Sequence, residues 1–205
     1  MENSGFFNGD EEYGQDEFNR YFRNLFQNGV SLDDGGALTL KVTAGENGVT
    51  LSKGFAIVEG FFYYNDADKA VALQRDPYLP RVDRVVLRLD LAAHTVRCKI
   101  LEGTASSTPA APVLTRDELV YEISLASVYI PAEGDMVVTD ERADTKLCGA
   151  IRPKNLTEYQ DMVTEFQRRY EAWFVMQQSV GWRKTYIQSL EPEEHVEGSI
   201  WLRIR

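Results

Sequence analysis

The side chains that most often carry chemistry are sparse in this sequence and are not spaced for a reaction. His94 and His195 are its two histidines, and neither has a cysteine or another histidine at the spacing of zinc ligands. The sequence has no glycine-rich phosphate loop, nucleophile elbow or zincin helix. We therefore predict no catalytic residue, no bound cofactor and no metal site, in a protein that is not an enzyme.

A set of carboxylates could nevertheless include a glycosidase-like pair, because two acids a few ångströms apart suffice for that chemistry. These carboxylates are Asp83, Asp90, Asp140, Glu141 and Asp144. Arginines are interspersed with them, namely Arg81, Arg84, Arg88 and Arg142. Mixed charge on a strand face is usually solvated or paired across strands. We favour that interpretation, and we expect solvent to cover the charged face of the strand that carries Arg84 and Arg88, with a subunit contact as the alternative.

Two acidic turns and one aromatic run are the other candidate binding elements. Asp33-Asp34 and Asp66-Ala-Asp68 could be calcium loops, but turns with two acids are common and the spacing lacks the twelve-residue ligand pattern. The aromatic run could form a platform on which sugars stack, although in an alternating strand half of it would face the core. The candidate glycan contacts are Phe61, Phe62, Tyr63 and Tyr64.

The composition is that of an ordinary soluble globular protein, with 43% hydrophobic and 26% charged residues in a chain of 205. The formal net charge is −10 and the pI is near 4.8, which argues against a nucleic-acid partner because phosphate binding needs clustered lysine and arginine. The start lacks a secretory signal, and no segment has the roughly 18 apolar residues of a membrane span. We therefore expect synthesis in a cytosol, no membrane partner, and buried thiols at Cys98 and Cys148.

An alternating segment predicts the type of fold. Between Val85 and Leu91, leucines at every second position alternate with Val86, Arg88 and Asp90, as in an antiparallel strand with one buried face. About eight short β-rich segments, separated by turns, precede residue 150. They are 38–42, 49–51, 54–64, 71–73, 81–91, 96–100, 121–125 and 136–138. We predict a mainly β fold, an antiparallel β-sandwich, with a barrel as the alternative.

Helical periodicity flanks this β-rich region on both sides. Residues 15–27 predict a short amphipathic helix, whose apolar stripe packs on the sheet or docks on another subunit. After Pro153, residues recur at alternating steps of three and four, the pattern of a heptad seam. The seam comprises Leu156, Tyr159, Val163, Phe166, Tyr170, Trp173, Gln177 and Val180.

We predict that the helix 154–180 drives oligomerisation, with packing inside the chain as the alternative. The predicted contact residues are Tyr159, Val163, Phe166, Tyr170 and Trp173. Residues 1–14 are predicted to be a flexible leader, and 15–150 to hold the first helix and the sandwich. Residues 181–205 are predicted to be a tail with a terminal β-hairpin that docks on a partner, because a two-stranded hairpin alone is marginal.

The order and spacing of a set of short motifs form a fairly specific signature over roughly residues 15 to 178. The motifs are Asn28-Gly29-Val30, Gly54-Phe-Ala-Ile-Val-Glu-Gly60 with Tyr63, Arg81-Val-Asp-Arg-Val-Val-Leu-Arg-Leu-Asp90, the segment 103–112 with Leu114-Thr-Arg116, Tyr121-Glu-Ile-Ser-Leu-Ala126, Asp140-Glu-Arg142 with Asp144, Cys148-Gly149, and the helix with Phe166 and Trp173-Phe174. In this order they resemble a family of structural proteins from tailed phages and prophages of Gram-positive bacteria. Members occur in the baseplate or tail tip and at the N-termini of tail fibres and receptor-binding proteins.

The resemblance implies a β-sandwich in the virion, assembled in several copies, that joins the tail tube or baseplate to a host-recognition element. It implies no catalytic residue. Because no fibre, collagen-like run or receptor-binding head follows the strand pair, we expect an adaptor or baseplate component. We expect a trimer, assembled in the host bacterial cytoplasm, with other tail proteins as partners. The alternative is a carbohydrate-binding or receptor-binding module that recognises host cell-wall glycan through residues 61–64.

Overall fold

The computed structural model describes residues 14–45, 47–179, 185–193 and 199–204, and at 155, 157–159 and 177–179 the backbone alone. The chain forms two compact units that divide between Asn155 and Leu156. The first unit is mainly β, with helix α1 (Gln15–Leu25) before its strands. The second holds helix α2 (Thr157–Ser179) and a terminal pair of strands. This arrangement confirms the predicted mainly β class. Of the predicted leader, Gly14 alone lies within the described ranges.

The described strands of the first unit form three antiparallel sheets around one core. The strands are β1 (Gly29–Val30), β2 (Val42–Gly45), β3 (Gly48–Leu51), β4 (Gly54–Val58), β5 (Phe61–Asn65), β6 (Lys69–Ala72), β7 (Arg81–Asp90), β8 (Thr95–Leu101), β9 (Val120–Ile130) and β10 (Val137–Asp140). The sheet orders are β10-β9-β7-β8, β1-β4-β5 and β2-β3-β6. All three contribute to a shared hydrophobic core that includes Leu51, Val58, Leu87 and Leu125. The fold is the predicted β-sandwich.

Strand β7 confirms the alternation that the sequence predicts. It lies between β8 and β9 in the four-stranded sheet and pairs antiparallel with both. Val85, Leu87 and Leu89 are buried in the core, because successive side chains in a strand point to opposite faces. The pairing with β9 shifts by one residue between Val85 and Val86.

The opposite, charged face of β7 is only partly solvated, because Arg84 keeps 12% and Arg88 34% of its side chain exposed, so the prediction of a solvent-covered face was wrong for Arg84 and only partly right for Arg88. Arg88 Nε lies 2.6 Å from Oε1 of Glu122, whose side chain is fully buried. Arg84 Nη1 donates to the Pro112 carbonyl at 2.7 Å, and its Nε lies 3.2 Å from Glu141 Oε2. The chain between β8 and β9 therefore covers part of this face at Pro112, and carboxylates of β9 and of the residue after β10 pair with its arginines.

Residues with positive φ angles change the limits of two predicted β segments, and the predicted strand 121–125 extends as β9 to Ile130. The predicted strand 54–64 is a hairpin of β4 and β5, joined at Glu59 and Gly60, whose φ angles are 50° and 84°. The predicted strand 38–42 begins only at Val42, because the fully buried Leu40 adopts a φ of 58°. Positive φ values do not occur inside a regular strand. Each of these residues therefore interrupts the strand and its alternation of side chains between the two faces.

Arg142 holds the segment around Leu40 against the end of β10. Its guanidinium donates to the carbonyl oxygens of Leu38 and Thr39, the second at 2.8 Å. Its Nη2 lies 2.6 Å from Asp140 Oδ2. Charge-assisted hydrogen bonds of this kind are stronger than neutral ones, and here they satisfy two backbone carbonyls that no strand partner reaches.

The same ion pair predicts a pH-dependent contribution to stability. The hydrogen bond from Arg142 holds the pKa of Asp140 below its usual value of 3.8. A carboxylate with a lowered folded-state pKa stabilises above its unfolded-state pKa, and this contribution disappears as the pH falls through the lowered value. We expect Asp140→Asn to be less stable than the wild type at pH 7, and the difference to shrink as the pH falls below about 4. Urea denaturation at a series of pH values measures this, with Asp135→Asn as the exposed control. A difference that stays constant down to pH 2 would contradict it.

Helix α1 ends within two residues of its predicted limit and lies on the β4–β5 turn. Glu17 Oε2 accepts the Gly14 N–H at 3.0 Å and so caps the first turn. A Cβ on Gly60 would lie 2.4 Å from the Asn19 carbonyl oxygen, so only glycine allows this close approach. The apolar stripe stays 36% to 49% exposed at Phe18, Tyr21, Phe22 and Leu25. The helix thus contacts the sheet while much of its stripe is uncovered, and docking on another subunit stays an alternative.

The terminal strands form a pair, but the pair is not the predicted hairpin. Strand β11 (Thr185–Gln188) runs parallel to β12 (Ile200–Arg203), with Thr185 opposite Ile200. Parallel neighbours need a connection of about a dozen residues that returns the chain to the same end, and the segment between Gln188 and Ile200 provides it. Residues 182–184 of the predicted hairpin mate lie outside the described ranges.

Candidate functional site

Helix α2 presents a stripe of large apolar side chains that is exposed in the single chain. Phe166 is 70% exposed and Trp173 is 50% exposed. Val163 and Tyr170 lie on the same stripe and are similarly exposed. The stripe follows the alternating steps of three and four that keep residues on one helix face. The Tyr170 ring centre lies 5.9 Å from that of Trp173. Four of the five predicted contact residues are therefore accessible to a partner.

Among the remaining seam positions, Leu156 is 37% exposed, and the other three lie outside what the structure describes. Tyr159 and Gln177 belong to α2, but their side chains are not among the described ones, and Val180 follows the described part of the helix. The exposed residues Met162 and Phe174 flank the stripe and were not among the predicted contacts. The heptad pattern could have identified both, because each is apolar and adjacent to a seam position. The Phe174 ring is 6.2 Å from Tyr170 and widens the apolar face.

Three charged side chains of α2 pair with one another within the helix. Glu165 lies 2.7 Å from Arg168 Nε and 2.8 Å from Arg169 Nε. Hydrogen bonds from these two arginines lower the pKa of Glu165 to about 2. None of the three residues belongs to the seam, so the apolar stripe is the part of the helix that a partner would cover.

The terminal strand pair has one aliphatic and one aromatic face. Residues opposite each other in a parallel pair share a face, and the aliphatic face carries Ile187, Ile200 and Leu202, each about half exposed or more. On the other face, Trp201 Nε1 donates to the Gln188 carbonyl at 3.1 Å. Exposed apolar groups on a two-stranded sheet are unusual, because such a sheet is marginal without cover.

Strand β5 divides the predicted glycan contacts into two pairs. Phe61 and Tyr63 pack against the core, and burial raises the pKa of Tyr63. Phe62 and Tyr64 are 69% and 66% exposed on the outer face. Phe55 of the neighbouring strand stacks on Phe62 with ring centres 6.1 Å apart. Two of the four predicted contacts, Phe62 and Tyr64, are therefore accessible to a ligand.

A groove of about 500 Å³ runs beside these exposed rings, where β5 approaches β8. Phe62 and Tyr64 line one side, and Lys69 of β6 and Arg97 of β8 also line it. Sequence reasoning missed both cations, because Lys69 and Arg97 lie on strands other than the one that carries the aromatic run. The groove brings aromatic rings and positive charge together in an acidic chain.

The carboxylates that could have formed a glycosidase pair each have a structural partner instead. Asp83 pairs with Arg81 Nε at 2.8 Å and accepts the Gly103 N–H at 2.9 Å. Glu141 contacts Arg84 and accepts a hydrogen bond from the Ser124 hydroxyl. The other three cap turns or bind arginine, at Asp90, Asp140 and Asp144. Four of the five carboxylates thus bind groups within three residues along the chain, and Glu141 pairs with Arg84 of β7.

The residues with metal-binding or nucleophilic potential are dispersed. His94 lies in the β7–β8 turn, and His195 is outside the described ranges. Cys98 and Cys148 are free thiols, and burial raises the pKa of Cys148 to about 12. Within the described ranges, no group of three or more His, Cys, Asp and Glu side chains could hold a metal ion. In the same part of the chain, no helix has the length and apolarity to cross a membrane.

Comparison with known proteins assigns no family. No protein-family model matches the chain, and no curated protein and no solved structure is detectably similar to it. The functional interpretation therefore relies on the surfaces of the chain itself, chiefly the stripe on α2 and the aromatic groove beside β5.

Proposed function

We propose that this chain is a structural virion protein of a phage tail or baseplate, an adaptor that links the tail to the host-recognition apparatus. The observation that carries the proposal is the exposed apolar stripe of α2. The order of motifs along the sequence, which resembles structural tail proteins, supports the same role. The chain acts through its surfaces as a non-enzymatic component, with copies of itself and other tail proteins as partners.

The energetics of the stripe favour self-association. Burying a large apolar side chain contributes about 2 kcal/mol, and Val163, Phe166, Tyr170 and Trp173 offer four such groups per chain. Helices with this alternating spacing bury their stripes against one another around a common axis. Three copies would cover the stripe together with the flanking Phe174, and we therefore propose a trimer formed through α2.

The terminal strand pair gives a second contact for assembly. Its aliphatic face is exposed at Ile187, Ile200 and Leu202, and its outer strand edges have no partner strand among the described residues. Open edges and an uncovered face together favour docking on a neighbouring subunit. In this proposal α2 sets the number of copies, and the tail ties each copy to its neighbour in the virion.

Light scattering on the purified chain tests the proposed assembly. At micromolar concentration we expect a mass three times the 23.3 kDa of one chain, because the α2 stripes bury one another. The mass should fall on dilution, at chain concentrations set by the dissociation constant. A monomer that shows no increase in mass when isolated baseplate proteins are added would overturn the proposal.

A second candidate function is carbohydrate recognition. The observation in its favour is the exposure of Phe62 and Tyr64 on one face of β5, next to an open groove. In this role the chain would contact host cell-wall glycan directly. The two functions use different surfaces, so variants of α2 and of the groove separate them.

A further inference from the structure

The groove between β5 and β8 has an aromatic wall that is held in place but not covered. Phe62 and Tyr64 are two residues apart on β5, so they lie about 7 Å apart along the strand and share a face. Phe55 stacks on Phe62 at 6.1 Å and nearly parallel, with an interplanar angle of 12°. This contact restricts the Phe62 ring, while two-thirds of its surface stays open. The wall is thus preorganised to receive a flat apolar surface.

Two cations without ion-pair partners line the same groove. Lys69 and Arg97 are both exposed, and neither makes a salt bridge to another described residue. Their position beside the aromatic wall places positive charge where a ligand would lie.

The pairing of β7 and β8 adds to the unbalanced charge at Arg97. Arg97 lies directly opposite Arg88, and like charges in such a cross-strand pair destabilise a sheet. Glu122 neutralises Arg88 at 2.6 Å, but no described carboxylate does the same for Arg97. A bound anion would supply the missing counter-charge at this position.

We propose that this groove binds an anionic glycan, a sugar chain that carries carboxylate or phosphate groups. The C–H faces of the sugar rings pack on Phe62 and Tyr64, and Arg97 and Lys69 bind the anionic substituents. The volume of about 500 Å³ lies in the range of small-ligand sites. The groove is open along its length, which suits a chain of flat rings better than peptide side chains that need closed pockets. The inference rests on the second candidate function, carbohydrate recognition, and is independent of assembly through α2.

Calorimetric titration of the full chain with three defined probes tests the inference. The probes are an oligogalacturonate, which carries carboxylates, its fully methyl-esterified form, which is neutral, and a phosphomannan oligosaccharide, which carries phosphate. We expect at least one anionic probe to bind about tenfold more tightly than the neutral ester, a difference that added salt reduces. The two anionic arms show which group the groove prefers.

Matched variants locate the binding in the groove. Arg97→Gln should weaken binding of the anionic probe about tenfold and leave binding of the ester unaffected, since one charge-assisted hydrogen bond contributes about that much. Tyr64→Ala should weaken binding of all three sugars. The controls are Lys99→Gln, an exposed cation on the same strand outside the groove, and Tyr78→Ala, an exposed tyrosine elsewhere. Light scattering should give the same mass for every variant.

Each contrary result has a distinct meaning. If the ester and the free acid bind with equal affinity, and Tyr64→Ala binds neither, the proposal of an anionic ligand is overturned. Carbohydrate recognition would then still hold. Equal weakening by Lys99→Gln and Arg97→Gln would show diffuse charge attraction and overturn the site. No binding of any sugar by the folded wild type, or tighter binding of hexaglutamate than of the sugars, would overturn both the site and the second candidate function.

Discussion

Replacing Trp173 by alanine is expected to dissociate the oligomer while the sandwich stays folded. Trp173 lies on the α2 stripe, half exposed in the single chain, and its burial in an interface contributes about 2 kcal/mol per copy. Because 1.4 kcal/mol corresponds to a tenfold change, the chain concentration at which the oligomer half dissociates should rise by more than tenfold. Light scattering over a dilution series measures this midpoint.

The tryptophans of this protein allow the two units to be followed separately. All three, Trp173, Trp182 and Trp201, come after the boundary at residue 155. Tryptophan fluorescence therefore reports on the second unit. Amide hydrogen exchange within β7 and β9, measured over a urea series, reports on the first unit, because both strands lie in its four-stranded sheet. In Trp173→Ala, we expect the urea dependence of this exchange to match that of the wild type.

A control variant and a contrary result complete this test. Glu171→Ala changes an exposed residue of α2 outside the seam, whose hydrogen bond to Gln167 is also exposed, so the oligomer should persist. Equal losses of oligomerisation and of sandwich stability in Trp173→Ala would instead favour packing of α2 inside the chain. An unchanged midpoint of dissociation would remove Trp173 from the interface.

Replacing Glu122 by glutamine is expected to give the largest loss of sandwich stability among the charged residues of β7 and β9. The Glu122 side chain is fully buried, and its carboxylate binds Arg88 at 2.6 Å and the Thr115 N–H at 2.7 Å. Removing one partner of a buried ion pair typically costs 3 to 5 kcal/mol. Arg88 keeps 34% of its side chain in solvent, which reduces the cost, so we expect a loss of about 2 to 3 kcal/mol.

Urea denaturation followed by circular dichroism measures this loss. Glu118→Gln is the matched control, because Glu118 is an exposed carboxylate in the same connecting segment and its replacement should change stability by less than about 0.5 kcal/mol. We also expect the segment between β8 and β9 to exchange amide hydrogens faster in Glu122→Gln, since Glu122 holds it at Thr115. Stabilities that agree for the two variants would show that the ion pair does not anchor this segment.

The local patterns of the sequence predicted the elements that depend on local physics. The alternation from Val85 to Leu91 became strand β7, and the spacing of apolar residues in 15–27 and after Pro153 became helices α1 and α2. Side-chain periodicity reflects only the geometry of the element that carries it, so it can be read without knowing the neighbours. The division of the aromatic run into buried Phe61 and Tyr63 and exposed Phe62 and Tyr64 follows from the same period.

The candidate groove could be predicted only in part. The aromatic run identified its wall, but Lys69 and Arg97 joined it only through the approach of β6 and β8 to β5. No local pattern records which distant strands become neighbours. The split of 54–64 into a hairpin likewise depended on Gly60, which accepts a positive φ and leaves room for the Asn19 carbonyl of α1.

The sequence by itself determined the class of fold and the residues that face the core, because burial and alternation are local consequences of hydrophobic side chains. Only the tertiary structure decided which groups contact the charged face of β7 and in which direction the terminal strands run. The partner of Arg84, the Pro112 carbonyl, lies 28 residues further along the chain, and β12 pairs parallel to β11. Both outcomes depend on where the chain returns in space, and side-chain periodicity carries no information about that.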